Sequence, residues 1–290
     1  MKVLILGSTG LLGQALVQEA IKRKCEVIGA ARTRADLCFD VAEKQALEQQ
    51  ITSVNPDVVI NTVAIVSLDF CETNPDRAYL INSRPSGIIA RLGRQMGFQS
   101  IQISTDHYFT GDKDTQHSES SPVSLLNEYA RTKYAAEALT LSYANSLVLR
   151  TNIVGFRGKT SEKTFVEWIV DNLANSTPMT LFDDFFTSSI DVCQFSRSCF
   201  DLIEKKTIGV LNLASREVVS KKRFIESLAS QLGYEPQAYA IGSIRDMPGV
   251  WRAESIGLDV RKAENILGYR LPTQAQVTRN LVQQYKERIK

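Results

Sequence analysis

The sequence predicts an α/β protein, a doubly wound and mostly parallel sheet followed by a smaller, helix-rich lobe. Three observations predict it. An unbroken apolar run, Lys2-Val3-Leu4-Ile5-Leu6, leads straight into a glycine-spaced turn and then a helical pattern. Strand-like apolar runs go on alternating with helical periods through Leu149. Beyond Gly155 the rhythm becomes helix-rich, with periods over Phe165 to Ala174, Val192 to Glu204, Lys221 to Leu232 and Gln274 to Ile289.

The first strand suits a buried position in a parallel sheet, because it shows no polar alternation. Gly7, Gly10 and Gly13 follow it as G-x-x-G-x-x-G. Glycine lets the backbone turn tightly and lie against a pyrophosphate, while the next helix offers free N–H groups and a partial positive charge. Gly7, Thr9, Gly10, Leu11, Leu12 and Gly13 are therefore expected to hold a dinucleotide, with a purely structural turn as the alternative. Leu12, Leu16 and Ala20 give that helix its inward face. Placed in this way, the turn is the mark of a Rossmann-type fold.

Glu26 to Ala31 is the second strand, and its carboxyl end is where such a fold meets the adenosine ribose. An acidic residue there favours NAD. The chain offers Ala31-Arg32-Thr33-Arg34 instead, so Arg32 and Arg34 are expected to hold a 2′-phosphate and NADP is favoured over NAD; two loop arginines without that role are the alternative. Asp40 and Val41, after a short third strand, are placed near the adenine by position alone. Ala42 to Val54 is helical, Asn55-Pro56 breaks it, and Asp57 to Asn61 is the next strand, with Ala64 beyond it on the cofactor side.

Pro75 to Met96 reads as one long helix with Ala78, Ile81, Ile88, Ile89 and Leu92 inward. Asn82 on it is either a satisfied structural amide or a group facing the cofactor. Gln99 to Ser104 is a strand whose end, Ser104-Thr105-Asp106, puts hydroxyls in the crevice where open α/β sheets bind ligands. Thr110 to Ser124 is polar and irregular and is expected to form a flap. Asn127 then opens a helix through Leu141, on which Tyr129 and Lys133 share a face. A free tyrosine has a pKa of ~10, but an adjacent ammonium favours the phenolate and makes the phenol a usable acid. Thr105, Tyr129 and Lys133 are thus the candidate catalytic residues.

Composition narrows the classes. With 290 residues, 43% apolar and 23% charged, the chain can bury a full core as a large α/β domain with a smaller lobe. Lys and Arg total 34 against 32 acidic residues, so no basic field exists for nucleic acid or an anionic membrane. Met1 leads directly into a strand and no stretch reaches about 18 apolar residues, so a cytoplasmic protein is expected. The five cysteines form no C-x-x-C pair and there are only two histidines, which fits reduced thiols and no metal site. Neither an internal repeat nor a charge run is present.

These stretches together resemble the extended short-chain dehydrogenase/reductase family, and within it the dTDP-4-dehydrorhamnose reductase branch. The resemblance runs almost end to end: Gly7-Ser8-Thr9-Gly10-Leu11-Leu12-Gly13, Asn61-Thr62-Val63-Ala64, Ser104 to Gly111, Leu126 to Lys133, Leu149-Arg150-Thr151 and Gly209 to Ala214. It implies an NADP-binding domain over residues 1–155 and a substrate-binding lobe over 156–290, interleaved, with the strand at 208–213 returning to the main sheet. It also implies NADPH-dependent reduction of a nucleotide-linked 4-keto-6-deoxysugar, with Lys133 on the nicotinamide ribose; the oligomeric state stays open, a homodimer being one candidate. Asp106, His107, Asn152, Phe186 and Trp251 join Thr105 as expected substrate contacts, although Trp251 and Phe186 also suit simple packing between lobes. The chain departs from the family pattern at Asn152-Ile153, at Asp183 to Ser189 and at Arg252-Ala253. Two other readings stay open: an epimerase or dehydratase with bound NAD, and a non-catalytic NADP-binding partner such as the one that serves methionine adenosyltransferase.

Overall fold

Strands β1 (Lys2–Leu6), β4 (Val58–Asn61), β5 (Gln99–Ile103) and Ser146–Arg150 contain no exposed residue, which is what a parallel sheet covered on both faces requires. With β2 (Glu26–Ala31), β3 (Leu37–Cys38) and Gly209–Asn212 they form a seven-stranded sheet. Its order is Gly209–Asn212, Ser146–Arg150, β5, β4, β1, β2, β3. Pairing is parallel from Ser146–Arg150 across to β3, and Leu6 lies opposite both Ala30 and Asn61. The strand order reverses at β1, so the turn after Leu6 leaves the sheet at the switch point where such folds bind ligands. The computed structural model describes residues 1–158, 162–234 and 239–288.

Helix α1 (Leu11–Lys22) buries Leu12, Gly13, Leu16 and Ala20. Its approach to the turn is close: a Cβ on Gly13 would lie 2.1 Å from the Gly7 carbonyl oxygen, and Gly7 itself sits at φ +85°. Helix α2 (Lys44–Val54) stops at Asn55 in the left-handed conformation, and its Leu47 and Ile51 join Leu4, Leu6 and Val59 in one apolar cluster.

Two expectations are corrected. After the short α3 (Leu68–Thr73), the single helix read over Pro75 to Met96 is two helices, α4 (Pro75–Asn82) and α5 (Arg84–Met96). Pro85 in the first turn of α5 is the reason, since it has no N–H and its ring clashes with the preceding turn. The segment Thr110 to Ser124 is tied down rather than loose. Its Gln116–His117 pairs parallel with Gly257–Leu258, and His117 Nε2 lies 2.9 Å from the Ser255 carbonyl.

The chain forms two compact units. One comprises Met1–Thr105, Leu125–Arg150 and Ser196–Leu211, and the other Asp106–Ser124, Thr151–Phe195 and Asn212–Lys290. The core of the second unit brings Val166, Ile169, Phe224, Leu228, Val277 and Leu281 together from the helices Phe165–Ala174, Lys221–Leu232 and Gln274–Arg288. The first of these opens with a capping box between Thr164 and Glu167. Among the described residues no helix is long and apolar enough to cross a membrane.

Gly13 has backbone on its open side rather than a yielding side chain. Gly13→Ala is expected to destabilise the chain by ~1–3 kcal/mol, the usual cost of overpacking, as read from the midpoint of urea unfolding.

Candidate active site

The first unit carries the triad. Helix α6 (Glu128–Leu141) is started by Asn127, whose side chain accepts the N–H of Ala130, so its first turn is fixed where Tyr129 sits. Tyr129 packs among Cys71, Ala78, Ile65 and Leu68. One turn further on, the Lys133 ammonium donates to the Ile103 carbonyl at 2.7 Å, at the end of β5. Thr105 lies two residues beyond that carbonyl and is buried. Burial pushes the Lys133 ammonium down to about 8, with Glu137 acting in the opposite direction.

Beneath the triad lies a polar network that sequence reasoning did not single out. Glu137 accepts the Ser104 hydroxyl at 2.6 Å and is gripped by Arg150, with Nη2 at 2.7 Å and Nε at 3.0 Å. Both side chains are almost fully buried. Removing one partner of such a pair costs ~3–5 kcal/mol, because the other is left as an uncompensated buried charge. The legible signal was the spacing Tyr129, Lys133, Glu137, which continues the triad face by one more turn.

The cofactor-side residues gather in the same unit. Helix α1 has Gly10 at its N-cap and no side-chain cap, so its terminal N–H groups suit an anion. The glycine cradle fits the pyrophosphate of a dinucleotide, since a Cβ at Gly7 or Gly13 would collide with Thr62 or with backbone. Arg32 and Arg34 are exposed on the loop after β2, with Arg34 at φ 59°. An acid does reach this strand. Asp36 accepts the Gly29 N–H at 2.7 Å, so its carboxylate is already engaged by the chain's own backbone. Asp40 pairs with Arg77 at 3.0 Å and accepts the Ala42 N–H, while Val41 is buried. The Asn82 side chain clamps Ile65, accepting its N–H at 2.7 Å and donating to its carbonyl at 3.1 Å, and it also donates to Thr132. The neighbouring Ala64 is thereby held in place.

The second unit holds the expected substrate residues other than Thr105. Asn152 donates to Asp106 at 2.8 Å and accepts from Ser189 at 2.7 Å, so its amide orients the carboxylate next to Thr105 in sequence. His107 keeps part of its surface accessible, but its Nδ1 is enclosed. Burial, with Lys221 and Arg252 nearby, pushes its imidazole down to about 4. Lys221, also missed from sequence, lies with Nζ 4.4 Å from the Phe165 ring centroid and 5.6 Å from that of Phe185. Burial lowers it to about 8 while Asp106 opposes the shift. Phe186 pairs with Ser220, and Trp251 is largely exposed.

A switch-point glycine turn and a Thr, Tyr, Lys set on one doubly wound unit define an extended short-chain dehydrogenase/reductase, a class of oxidoreductase. The model of the RmlD substrate binding domain matches residues 1–287, and the chain belongs to that family. A probable low-salt glycan biosynthesis reductase, Agl14, of Haloferax volcanii is 26% identical over 94% of each chain. The dTDP-4-dehydrorhamnose reductase of Escherichia coli is 32% identical, over 55% of this chain and 53% of its own length. Methionine adenosyltransferase 2 subunit beta of Mus musculus is 27% identical over 97% of this chain and 87% of its own. Among solved structures, the dTDP-4-dehydrorhamnose reductase of Bacillus anthracis in complex with NADP matches with a TM-score of 0.87. That likeness is at 19% identity, over 97% of this chain and 98% of the other, and speaks for the fold.

His107 gives a signed pH dependence. Its folded value is depressed below 6.5, so the stability it contributes is present above pH 6.5 and is lost as pH falls towards about 4. In thermal unfolding at stepped pH, His107→Gln is expected to lose less stability across that window than the unmodified chain.

Proposed function

We propose that the chain reduces the keto group of a nucleotide-linked 4-keto-6-deoxysugar, with NADPH as reductant. The observation that carries this reading is Lys133, a buried ammonium anchored on the Ile103 carbonyl one helical turn from Tyr129. Tyr129 gives its phenolic proton to the carbonyl oxygen, and Thr105 donates a hydrogen bond to that oxygen as charge develops. Lys133 favours the phenolate left behind. When bound, NADPH supplies the hydride that the carbonyl carbon receives. The turn Gly7 to Gly13 holds its pyrophosphate, Arg32 and Arg34 its 2′-phosphate, Asp40 and Val41 its adenine end, and Ala64 with Asn82 the side nearer the reaction. The NADP bound by the Bacillus anthracis reductase supports that cofactor.

Asp106, His107, Asn152, Phe186 and Trp251 are the substrate contacts of this reading. dTDP-4-dehydrorhamnose is the leading substrate, supported by the Escherichia coli relative, and a related 6-deoxysugar follows, supported by the glycan biosynthesis reductase. Departures from the family at Asn152-Ile153 and Asp183 to Ser189 bear on which hexose reacts. A second reading, a cofactor-binding partner without turnover, is favoured by the near full-length match to the methionine adenosyltransferase subunit.

Three outcomes test these readings. Binding is expected to be tighter for NADPH than NADH, and Arg32→Ala should narrow the gap by roughly 1–3 kcal/mol; equal affinities in the unmodified chain would reject the NADP assignment. In an NADPH-absorbance assay against nucleotide-4-ketosugars, Tyr129→Phe is expected to keep the fold and lose at least ~100-fold in turnover. No turnover of any ketosugar, together with a stably co-purifying protein, would instead establish the second reading. Finally, dTDP, UDP or GDP should raise the thermal unfolding temperature in the presence of NADPH, and protection by none of them would remove the sugar-nucleotide assignment.

A further inference from the structure

We propose that Glu137 is a positioning residue of this site: from beneath the triad it fixes the Ser104-Thr105 strand end and the helix face that carries Lys133. The inference rests on the reductase reading for its catalytic consequence, but not for its physical content.

The geometry is closed within one unit. Glu137 lies four residues after Lys133 and eight after Tyr129 on α6, so the three share a face of that helix. One of its oxygens accepts the hydroxyl of Ser104, the residue between the carbonyl that Lys133 holds and the catalytic Thr105. The other is taken by Arg150 from the neighbouring strand. Lys133 is drawn toward Ile103 and Glu137 toward Ser104, so helix and strand are pinned at consecutive residues. A cation taken out of water needs a counter-charge, and Glu137 is the carboxylate that opposes the effect of burial on Lys133.

Most other charged groups on the elements packed against α6 are engaged elsewhere. Glu128 pairs with Arg131, and Glu72 accepts the N–H of Glu128. Arg77 pairs with Asp40, Arg91 with Glu48, and Arg84 and Arg94 donate to the carbonyls of Ala42 and Ser142. Asp69 and Asp76 stand in the first turns of α3 and α4.

Two variants test the proposal. Glu137→Gln removes the charge at nearly constant shape, and Glu137→Gln/Arg150→Met removes both halves of the ion pair so that no guanidinium is stranded. The readout is the titration of Lys133 in folded protein by NMR of 13C-labelled lysine, its signal assigned by its absence in Lys133→Met. The midpoint is expected near 8 in the unmodified chain, roughly one unit lower in Glu137→Gln and lowered by less in the double variant. The alkaline limb of kcat/KM should move in the same direction. A folded variant in which Lys133 titrates as in the unmodified chain would overturn the proposal. Loss of the fold in both variants would leave Glu137 a structural role alone and overturn it as well. The titration needs no substrate, so failure of the reductase reading would show separately, as absence of turnover.

Discussion

A protonated lysine held out of water is the constraint around which the first unit is arranged. Lys133 gives up hydration that a surface ammonium keeps, and burying an uncompensated charge is among the costliest things a fold can do. The compensation comes in stages: the Ile103 carbonyl accepts from the ammonium, Glu137 supplies opposite charge, and Arg150 satisfies Glu137 in turn. Each stage needs the next. Helix α6 must therefore sit in register with β5 and with the strand Ser146–Arg150, so the demands of the chemistry and the packing of three elements are one requirement.

What was legible in the sequence was local. The strand, glycine turn and helix at Lys2 to Lys22 lie in a single stretch, and so do the cap at Asn127 and the face shared by Tyr129 and Lys133. Pattern and spacing carry such features because propensity and periodicity act over neighbouring residues. Arg150 stands in the sequence only as part of a resembling stretch, and its ion pair with Glu137 escaped notice because nothing near it in the chain announces a partner on another element. The break at Ser83 was missed because the apolar period runs straight across it, while Pro85 ends the first helix for a backbone reason that periodicity does not express.

Asp36 and Asn82 show a different limit. An acid beside the second strand and an amide on a helix each invite a ligand, and each has a backbone partner within the chain. Which polar side chains the chain has already claimed is decided by tertiary contacts that spacing does not express. The same holds for Asn152, where a residue that departs from the family pattern proves to be joined to both Asp106 and Ser189. A change there acts on a hydrogen-bonded chain rather than on one contact, so its effects will not add simply with those of its neighbours.

The way the chain is threaded bears on how the protein is made. The first unit draws its final segment from Ser196–Leu211, long after the chain has left to begin the second, and the last strand of the seven-stranded sheet is Gly209–Asn212. A ribosome therefore cannot release a finished first unit and then start on the rest. Until residues beyond Asn212 emerge, the flank of Ser146–Arg150 lacks its neighbour, and an open apolar strand edge is a site for mispairing. Such long-range closure is slow, and truncation within that stretch would leave the edge of Ser146–Arg150 open.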